Sequence, residues 1–159
     1  MPSRYGWKSA KWVTGIELIA AKLEPLANEL MKFGDDVYVD KQMMHYAVQR
    51  RGEFNFIHPD SGMKVDFWVL KDHPFDREEV KRRVKRRINR QDVFFISPED
   101  LILRKLLWHQ ESQSGRHLED VASVINRQKR LDWAYLWKWS KKQRTDRILK
   151  ELKAKAKKA

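Results

Sequence analysis

Phe54-Asn55-Phe56-Ile57-His58-Pro59-Asp60-Ser61-Gly62-Met63-Lys64-Val65-Asp66-Phe67-Trp68-Val69-Leu70 carries the strongest structural signal in the chain. Two runs rich in aromatic and β-branched residues flank His58–Gly62, a segment of turn formers, and so predict an antiparallel hairpin. Strand side chains alternate between faces. Lys64, Asp66, Trp68 and Leu70 therefore share one side, and Val65, Phe67 and Val69 the other. An ionised carboxylate on so apolar a strand is costly unless something compensates its charge. Asp66 is then an ion-pair partner of Lys64 or a nearby arginine, a solvent-facing acid, or a metal ligand on a catalytic sheet. The last reading requires a second acid on another strand.

Towards the N-terminus, Trp12–Ile19 reads as a strand with Glu17 as its only charge. A helix follows over about Glu24–Lys32, with Leu23, Leu26, Ala27, Leu30 and Met31 on one face. Val37–Val39 reads as a short strand, and Asp40 as the N-cap of a helix carrying Met43, Met44, Ala47 and Val48. Beyond the hairpin, a basic helix is predicted over Arg77–Arg90 with Val80, Val84 and Ile88 as its apolar stripe, then a strand at Val93–Ile96. Ser97-Pro98-Glu99-Asp100 has the chemistry of a helix start: a hydroxyl cap, Pro at the first position and acids at the positive end of the dipole. Further helices are predicted to about His109, over Arg116–Gln128, and after the caps Asp132 and Thr145. Met1–Lys11 reads as a basic arm and Lys153–Ala159 as a solvated lysine tail. The expected class is α+β: a small mixed β-sheet with flanking helices over residues 1–96, then a helical cap with a basic tail over 97–159.

The composition narrows the function classes. A hydrophobic fraction of 42% in 159 residues supports a real core. The formal net charge of +12 favours a polyanionic partner such as nucleic acid or nucleotide. The absence of cysteine excludes disulfides, thiolate zinc sites and cysteine nucleophiles. No apolar run approaches the ~18 residues that would span a bilayer, and no signal-peptide segment opens the chain. A cytoplasmic location is the expectation.

The second acid that Asp66 needs is Glu17, in Thr14-Gly15-Ile16-Glu17-Leu18-Ile19. Thr14–Leu18, Lys64-Val65-Asp66-Phe67, Val37–Asp40, the Phe54–Ile57 hairpin, Ser97–Leu106 and Leu131–Leu136 together resemble the nucleotidyltransferase superfamily of DNA polymerase β type. The likeness is to its minimal, abortive-infection-toxin-like branch. The resemblance implies a catalytic pair, Glu17 and Asp66, holding Mg²⁺, because paired metals stabilise the attacking and leaving oxygens of an in-line displacement. It also implies nucleotide contacts from Lys105 and Asp120. The chain departs from the family where Gly15 stands in place of the first aspartate and where the helix start before Thr14 is missing. The expectation is an N-terminally incomplete member, inactive alone.

The residues also admit plainer readings. Lys105 is either a snorkelling lysine or a point charge on a triphosphate. Asp120 serves equally as an i,i+4 partner of Arg116. Arg77–Arg90 carries eight basic residues, and Arg82, Arg83, Arg86 and Arg87 are candidate phosphate contacts. The alternative there is a solvated helix face. Trp133, Trp137 and Trp139 fall at spacings that favour core over base stacking. The five histidines show no paired metal-ligand spacing, and no Glu-x-Lys follows Asp66 as a restriction-type nuclease would need. The leading expectation is a nucleotidyltransferase-like protein binding a nucleotide triphosphate or RNA, with weak or vestigial Mg²⁺. The competing one is a non-catalytic nucleic-acid-binding or toxin–antitoxin interaction module. A homodimer that completes the site through the N-terminal strand is a third.

Overall fold

The computed structural model describes the backbone of residues 11–16 and 20–156 and the side chains of residues 21–156. Most of the proposed N-terminal arm, Glu17 and the last three residues of the tail lie outside the described residues. The chain folds into two compact units, Met1–Asp72 and His73–Ala159. The class is α+β.

The first unit is built on a four-stranded mixed sheet in the order β1-β4-β3-β2. Its strands are β1 (Lys11–Ile16), β2 (Tyr38–Val39), β3 (Glu53–His58) and β4 (Met63–Val69). β1 runs parallel to β4 at one edge, while β4, β3 and β2 are antiparallel. The β3–β4 hairpin forms where the sequence predicts it. Gly62 closes its turn at φ +64°, with its N–H donated to the Pro59 carbonyl at 3.1 Å. Only glycine adopts that backbone region without strain.

Two helices cover the core face of this sheet. α1 (Leu23–Met31) buries Leu23, Ala27 and Leu30, spaced one helical turn apart. α2 (Lys41–Arg50) begins at Asp40, whose carboxylate accepts the Met43 N–H at 2.9 Å, and it buries Met44 and Ala47. Beneath them the cross-strand neighbours Phe54 and Phe67 stack with ring centroids 4.9 Å apart. The alternation of the strand then turns Asp66 to the opposite face.

The second unit contains α3 (Pro74–Arg82), β5 (Val84–Ile88), β6 (Gln91–Phe95), α4 (Pro98–Ser112), α5 (Gly115–Arg127), α6 (Trp133–Lys142) and α7 (Asp146–Ala156). Its core joins Phe75, Ile102, Leu103, Leu106, Val121, Leu136, Trp139 and Leu149. The expected division at residue 96 differs from the observed one, because α3 packs with the helical region. Phe75 lies 5.2 Å from Trp139, ring to ring, and Asp76 and Glu79 both bond Arg104 of α4. Trp139 is buried, and Trp133 and Trp137 pack against the same core.

The basic helix expected to run to Arg90 is corrected by the structure. α3 ends at Arg82, Arg83 turns to ψ 139°, and Val84–Ile88 pairs residue for residue with Gln91–Phe95. Asn89 and Arg90 form the two-residue connection, both at positive φ (48° and 67°), the backbone of a type I′ hairpin turn. The spacing of Val84 and Ile88 explains the misreading. Four residues make about one helical turn, yet they also place two side chains on one face of a strand.

A buried polar network sits where α3, α4 and α6 meet. Ser97 caps α4: its hydroxyl accepts the Asp100 N–H at 3.1 Å and donates to Asp100 Oδ2 at 2.5 Å. The Tyr135 hydroxyl donates to Asp100 Oδ1 at 2.5 Å, and Arg82 Nε stands 3.4 Å from Oδ2. Asp100 itself is completely buried. Burial first, and then the Asp100 carboxylate, push the Tyr135 hydroxyl far above the usual phenol range. Alongside, Arg104 bonds Asp76 at 2.5 Å and also Glu79. Burial raises the Glu79 carboxyl even against the pull of Arg104. For Arg104 burial works against the charge, but Glu79 and Asp76 outweigh it and the net shift is upward.

Removing Asp100 leaves an arginine and two hydroxyls without their shared acceptor. We expect Asp100→Ala to lower the unfolding free energy of the full chain by about 3 kcal/mol. Tyr135→Phe, which deletes one donor, should cost about 1.5 kcal/mol. Urea denaturation followed by tryptophan fluorescence measures both. Equal effects would show that Asp100 does not organise the network.

Candidate functional site

Of the sequence-predicted metal pair only Asp66 can be placed. It is 3% exposed in the middle of β4, opposite Val13 on β1 and Asn55 on β3. Its Oδ1 lies 3.0 Å from Lys64 Nζ, two residues away on the same face. The ion pair with Lys64, one of the sequence readings, is therefore formed. An ammonium held against a carboxylate neutralises the charge that a divalent cation would need, and Mg²⁺ requires several oxygen ligands in near-octahedral array. Among the described residues no group of three acidic or histidine side chains is assembled for a metal. Glu17 lies outside the described residues.

Lys105 and Asp120 are brought together. They are fifteen positions apart on α4 and α5, and their Nζ and Oδ2 atoms lie 2.6 Å apart. Asp120 thus pairs across two helices rather than with Arg116. Lys105 is mostly covered, its Nζ 5.3 Å from the centroid of the Trp108 ring, while Asp120 is half exposed. Trp108 in turn lies 5.8 Å from the His117 ring. His109 donates from Nδ1 to the Ser114 carbonyl at 2.9 Å, tying the end of α4 to the start of α5. A partly exposed pair like Lys105–Asp120 contributes little to stability. Its interest is chemical: a cation, an aromatic face and an imidazole share one surface.

The basic segment divides in two. Arg82 turns inward, with Nη2 3.5 Å from Glu99, Nε 3.4 Å from Asp100 and its guanidinium 3.8 Å above the Tyr135 ring. It is spent on the internal network and is not available to a phosphate. Arg83, Arg86 and Arg87 are exposed on the β5–β6 hairpin, joined by Arg90 at its tip. Lys85 is neutralised by Asp92 at 2.7 Å. Among the described residues, none of Arg83, Arg86, Arg87 and Arg90 forms an ion pair; Asp92, directly opposite Arg87 in the ladder, is taken by Lys85. The hairpin also exposes Ile88, Phe94 and Phe95. The two phenylalanines lie on the strand that the sequence predicts at Val93–Ile96. What the sequence hid is the strand they pair with, because Val84–Ile88 was read as part of a helix.

Compared with protein-family models, with curated proteins and with solved structures, the chain matches none.

The Lys105 surface has a measurable electrostatic consequence. Burial is the largest influence lowering the His117 pKa below its ordinary 6.5; the Lys105 ammonium adds to it, Asp120 opposes it and His109 adds a little. The unfolded chain takes up this proton near 6.5 and the folded one only at lower pH. The stability contributed by neutral His117 is therefore in place above 6.5 and lost as pH falls through the folded value. An NMR titration should place the His117 midpoint below 6.5, with Lys105→Met raising it and Asp120→Asn lowering it further. A wild-type midpoint at or above 6.5 would sink the coupling.

Proposed function

We propose that this chain is a nucleic-acid-binding protein whose contact element is the β5–β6 hairpin. The observation that carries the reading is a set of four exposed arginines, Arg83, Arg86, Arg87 and Arg90, displayed on one two-stranded ribbon and forming no ion pair among the described residues. Exposed guanidinium groups bond phosphate oxygens in fork geometry and displace condensed counterions, which gives affinity without sequence selectivity. The excess of basic over acidic residues, 34 against 22, adds long-range attraction to any polyanion. The proposal needs no metal and no covalent step.

The salt dependence of RNA binding tests it. Each phosphate contact on a single strand contributes about −0.7 to the slope of log K against log salt. Neutralising Arg83, Arg86 and Arg87 together to glutamine should reduce that slope by about 2. An unchanged slope and affinity would remove the hairpin from the interface.

The 2.6 Å meeting of Lys105 and Asp120 favours a second reading, a nucleotide site of nucleotidyltransferase-like character on α4 and α5. Lys105 would exchange its carboxylate partner for a phosphate, as a compact cation with three donors can. Titration calorimetry with ATP, with and without Mg²⁺, is expected to give binding that Lys105→Ala abolishes. Binding by the variant equal to wild type removes the site.

A further inference from the structure

We infer that the hairpin selects single-stranded nucleic acid, with Phe94 as a stacking platform for one unpaired base; this rests on the nucleic-acid reading above. Strand pairing assigns the faces. Val84, Arg86 and Ile88 lie with Gln91, Val93 and Phe95 on one face, and Lys85 and Arg87 with Asp92 and Phe94 on the other. Val84 and Val93 are the half-buried members of the two strands, so the first face is the one turned to the protein at its base. The second face looks outward, and Phe94 stands on it with 51% of its surface exposed.

The surroundings of that ring carry a net positive charge. The Arg83 guanidinium lies 4.5 Å from its centroid and Arg87 stands on the same face, while its cross-strand neighbour Lys85 is paired with Asp92 at 2.7 Å. Phe94 stands on β6 beside the basic strand β5, and with Ile88 and Phe95 it makes the hairpin an exposed apolar surface suited to a partner. Charge complementarity makes that partner anionic, and the ring's π-face makes it flat. A base with its own phosphate meets both demands. Bases in a duplex are already stacked on each other and offer no free face, whereas unpaired bases stack on aromatic side chains regardless of sequence. Arg83 and Arg87 on either side then track the phosphates before and after the stacked base.

Fluorescence anisotropy with the full chain tests this, using a labelled 20-nucleotide oligouridine and a 20-base-pair RNA duplex at the same salt. The single strand is expected to bind more tightly than the duplex, despite its lower charge density. Phe94→Ala should weaken single-strand binding on the order of tenfold and erase the preference. The salt slope should stay at its wild-type value, because no phosphate contact is lost. Phe94→Trp, which keeps a π-face, should retain both affinity and preference, which separates stacking from a loss of fold. Duplex binding as tight as single-strand binding, or an unaltered Phe94→Ala, overturns the stacking role while the arginine dependence still stands. If neither RNA binds and the protein self-associates through Phe94 in sedimentation, both the stacking role and the nucleic-acid reading fall in favour of a protein interface.

Discussion

Burial of the Asp100 carboxylate is the constraint around which the second unit is organised. A carboxylate with no solvent contact must have its lone pairs filled. Ser97 and Tyr135 donate hydrogen bonds to it and Arg82 stands 3.4 Å away as its ion-pair partner, three contacts from three different segments. Each contact also fixes something larger. Ser97 starts α4, Tyr135 holds α6 against it, and Arg82 pins the last turn of α3. Because the chain must then leave α3 at Arg83, the hairpin grows from a fixed root. The placement of the exposed arginines is thus a consequence of an interior acid.

Local chemistry made much of this legible. Asp40, Ser97 and Asp132 each cap the helix that begins after them, since a cap depends only on the next few residues. The β3–β4 hairpin followed from turn residues between alternating runs, and the alternation alone put Lys64 beside Asp66. Contacts between distant segments were hidden. Nothing near Arg82 in sequence announces Asp100 or Tyr135, so a residue inside a basic run was read as outward. Arg104 with Asp76 and Glu79 was missed for the same reason. Lys105 and Asp120 were paired only through family resemblance, because no local pattern links positions on successive helices. Thr145 is a mixed case: it precedes α7 as expected, but its hydroxyl donates to the Ser140 carbonyl at 3.4 Å.

The distribution of charge separates structure from function within this unit. Arg82 and Arg104 are enclosed by acids and aromatic rings and hold helices together. Arg83, Arg86, Arg87 and Arg90 stand in solvent. Chemically identical side chains, one residue apart at Arg82 and Arg83, therefore serve opposite ends. Counting arginines in the run therefore overstates the binding surface, since Arg82 faces inward.

Among the described residues the β5–β6 ribbon is also a sheet with two bare edges, since no third strand joins the pair. Such edges invite another chain to add a strand, the first step towards fibrils. Here the cations of β5 set like charges opposite one another when two copies meet edge to edge along β5. Repulsion then guards that edge, while the aromatic strand β6 carries no cation of its own.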